Sequence, residues 1–337
     1  MMKIIVVMFN NWVFTQFAKN FEDAFSDLNV EYKVFLVEGR KSFAKQRDSF
    51  CELLNAFHAD KILLINDLHN SEEFFVNKQI LTKTKVYVWY VDTLKCYKLK
   101  NDLLSEYSGV FSVEPDDVDY CQEKYGVSLK YAVWPTCYSI YGNRFISEGP
   151  QALSPKKYDI SFVGVVSGCK KRIRVLNILA EHCSKNNYKM ALYGHYWHNE
   201  HWWQRLMGGL RFRLKYPKLY KYVHNQYLTP EQAAELYCDS RINMNIHVDR
   251  HSGLNIRVFD ILANGNFELC DERKLEGTKL INEKHFVFYY NNEDLLAKVD
   301  YYLQHEDELV KIASEGGRIL AKEYKFADAL EFVLLEN

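Results

Sequence analysis

Short apolar runs alternate with longer amphipathic stretches along the first 135 residues of the chain. The runs Lys3–Met8, Lys61–Ile65 and Val86–Val91 are apolar at almost every position, whereas the stretches between them place apolar residues at the spacing of a helix. Strands that are apolar on both faces and separated by helices predict a parallel sheet with helices on both sides. Such doubly wound domains bind ligands beyond the carboxyl ends of their strands.

The same alternation starts again after a stretch that contains two of the six prolines. Predicted strands at Asp159–Val163, Lys189–Tyr193 and Ile242–Ile246 are again separated by helical segments. We therefore predict an α/β protein with two Rossmann-like, doubly wound domains that face each other across a cleft. The expected parts are an amino-terminal domain (1–145), a linker (146–157), a carboxy-terminal domain (158–325) and a last helix (326–337) that packs back on the amino-terminal domain.

Composition excludes several classes of protein. The net charge of −1 gives no global attraction to nucleic acid or to a membrane, so a basic site has to be local. The eight cysteines include no C-x-x-C pair, which is typical of reduced thiols and not of a disulfide framework or a zinc site. The apolar run Ile4–Phe9 is too short for a secretion signal or a membrane span. We expect a cytoplasmic protein.

The strongest functional pattern lies in Ser252–Gly265, which we predict to be a buried helix with its first residue as the N-cap. One narrow polar stripe runs along this helix and contains Gly253, Arg257, Asp260 and Asn264. The stripe begins at the helix N-terminus, which favours an anion, so Arg257 suits a phosphate and Asp260 a sugar hydroxyl. A buried Arg–Asp pair without a ligand explains the same pattern.

A basic loop follows the first predicted strand of the second half, at Gly164–Arg172. Its two glycines allow the backbone to approach a ligand closely. Lys170, Lys171 and Arg172 crowd the first turn of the next helix, where the dipole disfavours cations, so an anionic ligand would satisfy both. A solvated charge run is the alternative, but two helix starts of this kind favour a diphosphate site. The loop is not a P-loop, because no Ser or Thr follows the lysine.

Three further strand ends carry candidate residues. Asn245 and His247 either hydrogen-bond a donor sugar or phosphate, or are turn residues without a special role. Gly194 precedes aromatic residues that could stack on a base. In the first half, Asp92 ends a strand and is either a general base for an acceptor hydroxyl or a helix cap. The loop after the first strand lacks the glycines of a dinucleotide fingerprint, so we expect the amino-terminal domain to bind the acceptor.

Residues 201–230 contain six Lys or Arg, seven aromatic residues and no Asp or Glu. A basic, aromatic insertion of this kind can hold an anionic glycolipid, a membrane surface or a nucleic acid. A solvated helical excursion with a few aromatic anchors is the ordinary explanation. The composition of the segment does not separate these possibilities.

Five motifs occur in a characteristic order: Tyr158–Gly164, Leu192–Gly194, Asn243–Asn245, Leu254–Gly265 and Asp294–Leu303. In this order and spacing the chain resembles the CgeB-like, spore-maturation-type branch of the GT-B glycosyltransferases, and the strand that ends at Asp92 fits as well. The resemblance covers most of residues 86–330. It implies a GT-B-like fold and a metal-independent transferase that requires no cofactor and holds a nucleotide-diphosphate sugar mainly with its second domain.

The resemblance also assigns roles to single residues. Asp260 falls where the family has a glutamate that binds the donor ribose, but Ser252 replaces the second glutamate of related retaining enzymes. The residues expected to act in catalysis are Arg257, Arg172 and Lys171, which stabilise the leaving nucleotide, and Asp92, the base of an inverting reaction. The residues expected to bind the donor are Gly164, Gly194, Asn245, His247, Gly253, Asn255 and Asp260.

We expect a retaining reaction that adds a sugar to a surface glycan or glycolipid, with the leaving phosphate accepting the acceptor proton. Such an enzyme would be cytoplasmic, with peripheral contact to the inner membrane face through residues 201–230. Two alternatives stay open. One is a nucleotide-binding protein without transfer activity, since Ser252 and Asp260 depart from the family pattern. The other is a nucleic-acid-modifying transferase, although nucleic acid is not the expected partner.

Overall fold

The computed structural model describes residues 1–335 apart from 12–13, 15–16, 40, 69–73, 98, 100, 150–155 and 199. The first half of the chain forms a six-stranded sheet. Its strands are β1 (Lys3–Phe9), β2 (Glu31–Val37), β3 (Lys61–Ile65), β4 (Lys85–Tyr90), β5 (Gly109–Ser112) and β6 (Lys130–Tyr131). They pair in parallel in the order β2-β1-β3-β4-β5-β6.

Helices cover both faces of this sheet. The helices of this half of the chain are α1 (Ala18–Asp27), α2 (Phe43–Phe57), α3 (Lys78–Leu81), α4 (Asn101–Leu104), α5 (Asp116–Tyr125), α6 (Tyr138–Tyr141) and α7 (Asn143–Glu148), with a 3₁₀ turn at Leu94–Cys96; α6 and α7 pack against the second half. The α2 helix shows why the pattern works, because Phe43, Phe50, Leu54 and Phe57 repeat on one face and are all buried. It ends at His58, which adopts a left-handed conformation with φ 53°.

The second half forms another parallel six-stranded sheet. Its strands are β7 (Tyr158–Val163), β8 (Met190–Tyr193), β9 (Val223–His224), β10 (Ser240–Asn245), β11 (Glu268–Asp271) and β12 (Val287–Tyr289). Its helices are α8 (Lys170–Asn186), α9 (Trp202–Lys215), α10 (Pro217–Tyr220), α11 (Pro230–Cys238), α12 (Ile256–Ala263), α13 (Asn292–Gln304) and α14 (Glu306–Glu323). The prediction of two Rossmann-like, doubly wound domains is confirmed.

The strand order of the second sheet locates its ligand edge. The order β12-β11-β10-β7-β8-β9 means that the chain builds outward from the centre in both directions, starting at β7 and at β10. In doubly wound sheets the crevice at this switch point, beyond the carboxyl ends of the strands, is the place where ligands bind. The loops after β7 and β10 are therefore the first places to examine.

A last helix, α15 (Phe326–Leu335), returns to the first sheet. Phe326 lies 5.0 Å from Trp134 between ring centroids and 5.4 Å from Phe21, and Leu330 is fully buried in the same cluster. Of the predicted linker, residues 150–155 lie outside the described part of the chain. No helix within the described ranges is long and apolar enough to cross a membrane.

Candidate active site

A cavity of about 650 Å³ lies between the two halves. Its wall includes Asn11 after β1, Gly164 after β7 and Gly194 after β8, so it opens at the carboxyl ends of strands from both sheets. Arg257 and Asp260 of α12 also line it. The cavity thus occupies the position that the strand order of a doubly wound domain predicts for a ligand.

The α12 helix begins later than expected. The sequence pattern predicts Ser252 as its N-cap, whereas the structure places Asn255 there, with Asn255 Oδ1 accepting a hydrogen bond from the Arg257 N–H at 3.0 Å. The correction leaves Arg257 in the first turn. Its guanidinium is half-buried, donates to Asn245 Oδ1 at 3.4 Å and faces the cavity.

Asp260 lies one turn further along α12 and is only 8% exposed. Its carboxylate accepts a hydrogen bond of 2.6 Å from Thr136 Oγ1 in the amino-terminal half. Burial raises the pKa of Asp260 to about 7, against the opposing effects of Thr136 and Arg257. The two charged side chains of α12, both in the described part of the chain, form no ion pair with each other. A self-contained Arg–Asp pair is therefore the wrong interpretation of the stripe.

Asn245 and His247 lie behind the cavity wall, which corrects their predicted role as direct donor ligands. Both side chains are fully buried, and neither lines the cavity. Asn245 Nδ2 donates to Asn255 Oδ1 at 3.0 Å and to Glu268 Oε1 at 2.9 Å. His247 Nε2 accepts the Asn255 N–H at 3.2 Å. Together they hold the cap of α12 and, through it, Arg257.

The protonation of His247 follows from these bonds. Its Nε2 accepts a hydrogen bond from the Asn255 backbone, so the ring is neutral, and burial lowers its pKa to about 4. The other nitrogen, Nδ1, lies 2.8 Å from Asp271 Oδ1. Burial alone would raise the pKa of Asp271, but bonding to His247 and the charge of Arg273 outweigh burial and hold that pKa below its usual range.

Gly164 and Gly194 form a close backbone contact at the cavity wall. Gly194 has φ 145°, and a Cβ atom there would lie 1.9 Å from the carbonyl oxygen of Gly164. Glycine is therefore required for steric reasons, and the contact leaves bare backbone facing the cavity. Tyr227, another wall residue, stacks with His195 at 6.0 Å between centroids.

Tyr196 and Trp197, the aromatic residues that follow Gly194, do not provide the base-stacking surface that the sequence suggests. The Trp197 ring packs against α9, where a Cβ on Gly208 would lie 2.8 Å from its Cδ1 atom. Tyr196 is 4% exposed and packs edge-on against Phe212. Of the described aromatic residues in this region, Tyr227 is the one that faces both the cavity and solvent.

Lys171 and Arg172 are placed differently from the prediction. Arg172 is buried and donates from Nε to the Ile246 carbonyl and from Nη1 to the Val165 carbonyl, both at 2.7 Å. Burial, together with repulsion from Arg257, lowers the pKa of Arg172 to about 10. Lys171 Nζ lies 2.7 Å from Asp271 Oδ2. Neither cation lines the cavity, whereas Arg257 does.

Gly253 belongs to a contact between the two halves and not to the stripe of a helix. Glu114 Oε2 accepts the Ser252 and Gly253 N–H groups at 2.8 and 2.9 Å, and Glu114 Oε1 lies 2.5 Å from His251 Nδ1. A Cβ on Gly253 would lie 2.7 Å from Pro115 Cδ, so only glycine fits. The Ser252 hydroxyl is also bound by Glu114, at 3.1 Å.

Asp92 lies at the same contact between the halves, outside the cavity wall. Its Oδ1 is 3.6 Å from Arg250 Nη2 and 3.7 Å from His251 Nε2. Burial raises the pKa of Asp92, although the neighbouring His251 and Arg250 oppose that shift. Its role as a base stays a prediction.

Comparisons with known proteins agree with this geometry. Residues 173–334 match a family model described as glycosyl transferase-like. No curated protein has significant sequence similarity to the chain. Sucrose-phosphate synthase from Thermosynechococcus elongatus is similar in structure over 100% of this chain and 98% of that one, with a TM-score of 0.71 and 12% identity.

Two other solved structures are similar over nearly their whole length. A glycosyltransferase from Rickettsia africae has a TM-score of 0.64 and 10% identity, covering 100% of this chain and 99% of that one. HepE from Anabaena, solved in complex with UDP-glucose, has a TM-score of 0.60 and 10% identity, covering 99% and 98%. The chain therefore has the GT-B glycosyltransferase fold, with a glycosyl transferase-like domain in its carboxy-terminal half, as predicted.

Proposed function

We propose that the protein is a glycosyltransferase that moves a sugar from a nucleotide-diphosphate sugar to a surface glycan or glycolipid. One observation carries the proposal: Arg257 and Asp260 both face the cavity between the domains and do not pair with each other. A buried carboxylate and a guanidinium without mutual contact are suited to a ligand that supplies hydroxyl and anionic groups.

The donor would lie along the second domain. Its diphosphate contacts Arg257 at the start of α12, and its ribose hydroxyl donates to Asp260. The base lies over the backbone of Gly164 and Gly194 at the cavity wall, next to Tyr227. HepE, which shares the fold, is solved with UDP and with UDP-glucose, and this supports a uridine diphosphate sugar as the donor here.

Catalysis requires charge stabilisation when the bond between the anomeric carbon and the diphosphate oxygen breaks. Positive charge develops on the sugar and negative charge on the leaving diphosphate, which Arg257 stabilises without a metal ion. Arg172 supports this role indirectly, by holding the loops after β7 and β10 through their carbonyls. In a retaining reaction the leaving phosphate accepts the proton of the acceptor hydroxyl, so no protein base is required.

The sugar-binding part of the site differs from that of related retaining enzymes. Ser252 stands where they have glutamate, and its hydroxyl is already bound to Glu114. Asn11 and Asn20 line the cavity from the amino-terminal half, and the proposal assigns them to contact with the sugar or the acceptor. On the resemblance of its motifs, we propose that the protein belongs to the CgeB-like branch, acts in the cytoplasm and uses an acceptor that contacts the amino-terminal domain.

The proposal is tested by measuring UDP release from UDP-sugars in the presence of glycan and glycolipid acceptors. Arg257→Ala is expected to lower turnover by about 10²–10³-fold, the usual effect of removing one group that stabilises the developing anion. Arg318→Ala, at an exposed site on α14, is the matched control and is expected to behave like the parent protein. Binding of UDP without turnover on any acceptor would identify a nucleotide-binding protein instead of a transferase.

A further inference from the structure

The α9 helix exposes an unusual amount of apolar surface. The described part of the chain has fourteen exposed large hydrophobic residues, and six of them lie on this one helix. They are Trp202, Trp203, Leu206, Met207, Leu210 and Leu214, with exposures from 45% to 79%. Scattered single residues of this kind are normal on a protein surface, whereas a contiguous group marks an interaction site.

These six side chains form one continuous face. At 100° per residue they occupy an arc of about 140° on the helix surface. The opposite side is already used, because Gly208, Gly209 and Phe212 pack against Trp197. The helix therefore has two apolar sides. One side holds the helix to the domain, and the other, the outer face, is exposed to solvent.

Basic residues flank the outer face. Arg213 lies near one edge of the arc, Arg205 lies beyond that edge, and Arg211 and Lys215 lie beyond the other edge; all four are exposed. The surrounding segment 201–230 has no acidic residue, although the chain as a whole has a net charge of −1. An apolar strip bordered by cations is the pattern of a helix that lies in the headgroup layer of an anionic bilayer.

Other occupants fit the outer face less well. A nucleic acid would neutralise the arginines but would leave two tryptophans and three leucines against a polar phosphate backbone. A second copy of the chain would bring the same cations together on both sides of the contact. We propose that α9 docks the protein on an anionic lipid bilayer through this face.

The docking helix α9 and the cavity are connected by short segments of the chain. The α9 helix lies in the insertion between β8 and β9, and the cavity residues Gly194 and Tyr227 follow those two strands. The docking itself needs no nucleotide, whereas its use in catalysis rests on the proposed transfer to a lipid-linked acceptor. Vesicle binding and donor binding can therefore succeed or fail independently.

The test is flotation of the full chain with vesicles of phosphatidylcholine and phosphatidylglycerol in equal parts. The double variant Leu206→Glu/Leu210→Glu is expected to bind at least about tenfold more weakly, since two leucines no longer enter the lipid. Ile281→Glu changes an equally exposed apolar residue elsewhere and is expected to bind like the parent protein. Arg211→Gln/Arg213→Gln leaves two of the four flanking cations and is expected to weaken the preference for these vesicles over pure phosphatidylcholine.

Circular dichroism and UDP binding, measured on the same variants, are the controls for an intact fold and an intact cavity. Three results would overturn the proposal: no flotation of the parent protein, flotation that the double glutamate variant leaves unchanged, or loss of vesicle binding in Ile281→Glu as well. A dimer that dissociates in Leu206→Glu/Leu210→Glu, without vesicle binding by the parent, would assign the face to a second copy. Salt-dependent binding of single-stranded DNA without vesicle binding would assign it to nucleic acid.

Discussion

The α12 and α9 helices of the second domain distribute polar and apolar residues in opposite ways. The α12 helix buries a carboxylate and half-buries a guanidinium, whereas α9 leaves six large apolar side chains in solvent. Both arrangements cost free energy in the isolated protein, one through desolvation and the other through exposed apolar area. A bound ligand would offset the desolvation cost at α12, and a docked surface would offset the cost of the exposed apolar area at α9. Both helices therefore indicate binding sites.

The two helices also differ in how many of their polar and apolar groups have partners within the protein. At α12, Asn245 and His247 each bind Asn255 and so fix the first turn, which leaves Arg257 and Asp260 facing the cavity. At α9, the packing of Trp197 against Phe212 covers only the inner side of the helix. A polar site thus needs a supporting network, whereas an apolar docking face needs only a rigid helix behind it.

Phe212→Ala and Leu210→Ala separate the two sides of α9. Phe212 is 7% exposed, and its removal is expected to destabilise the protein by about 3–5 kcal/mol, because a cavity forms beside Trp197. Leu210 is 48% exposed, and its removal is expected to change stability by less than about 0.5 kcal/mol. Urea unfolding of both variants measures the difference. Equal losses would mean that the outer face is packed against protein.

Arg172→Met and Arg257→Ala distinguish a residue that supports the loops of the active site from a residue that contacts the ligand. The Arg172→Met variant leaves the buried carbonyl of Ile246 without the Arg172 donor and also removes the half-buried bond to the Val165 carbonyl, so we expect a stability loss of about 1–3 kcal/mol. Arg257→Ala removes a half-buried group that faces the cavity and is expected to change stability much less. Thermal unfolding of the two variants provides the comparison. If Arg257→Ala were the less stable variant, the assigned roles would have to be exchanged.

Glu268→Gln tests the polar layer below α12. Burial raises the pKa of Glu268 to about 8, so the folded protein keeps this proton at pH values where the unfolded chain has released it. Stability therefore falls as pH rises from about 4.5 to 8, by at most about 1.4 kcal/mol per pH unit from this group. Asp260, whose pKa is raised to about 7, contributes a slope of the same sign.

In Glu268→Gln we expect a shallower decline of stability over that pH range, while the bond from Asn245 to Oε1 is retained. Urea midpoints measured at several pH values, for the variant and the parent protein, give the two slopes. Parallel curves would show that Glu268 is already ionised in the folded protein.

Local sequence patterns were sufficient to predict the two sheets and the four cavity residues Gly164, Gly194, Arg257 and Asp260. These features depend on the apolar periodicity of strands, on the positions of glycines and on helical spacing, all of which are set by residues close together in the sequence. The partners from the other half, Thr136 on Asp260 and Glu114 on Ser252, could not be predicted, because nothing near them in sequence indicates the contact.

The start of α12 was predicted at Ser252 instead of Asn255 for the same reason, a contact from the other half of the chain. Ser252 and Asn255 are both good N-caps by residue type, and the choice between them depends on Glu114, which binds the Ser252 backbone and hydroxyl. His247 and Asn245 were correctly placed at the edge of the sheet, but their side chains point into the network below α12. A strand end predicts the location of a residue and not the direction of its side chain.

The most direct test of the account is calorimetric titration of UDP into the parent protein, Arg257→Ala and the control Arg318→Ala. We predict saturable binding to the parent and to Arg318→Ala, and an affinity at least about tenfold lower for Arg257→Ala, because a charge-assisted hydrogen bond to the diphosphate is lost. Equal affinity of all three proteins for UDP would contradict the assignment of the cavity as a diphosphate site.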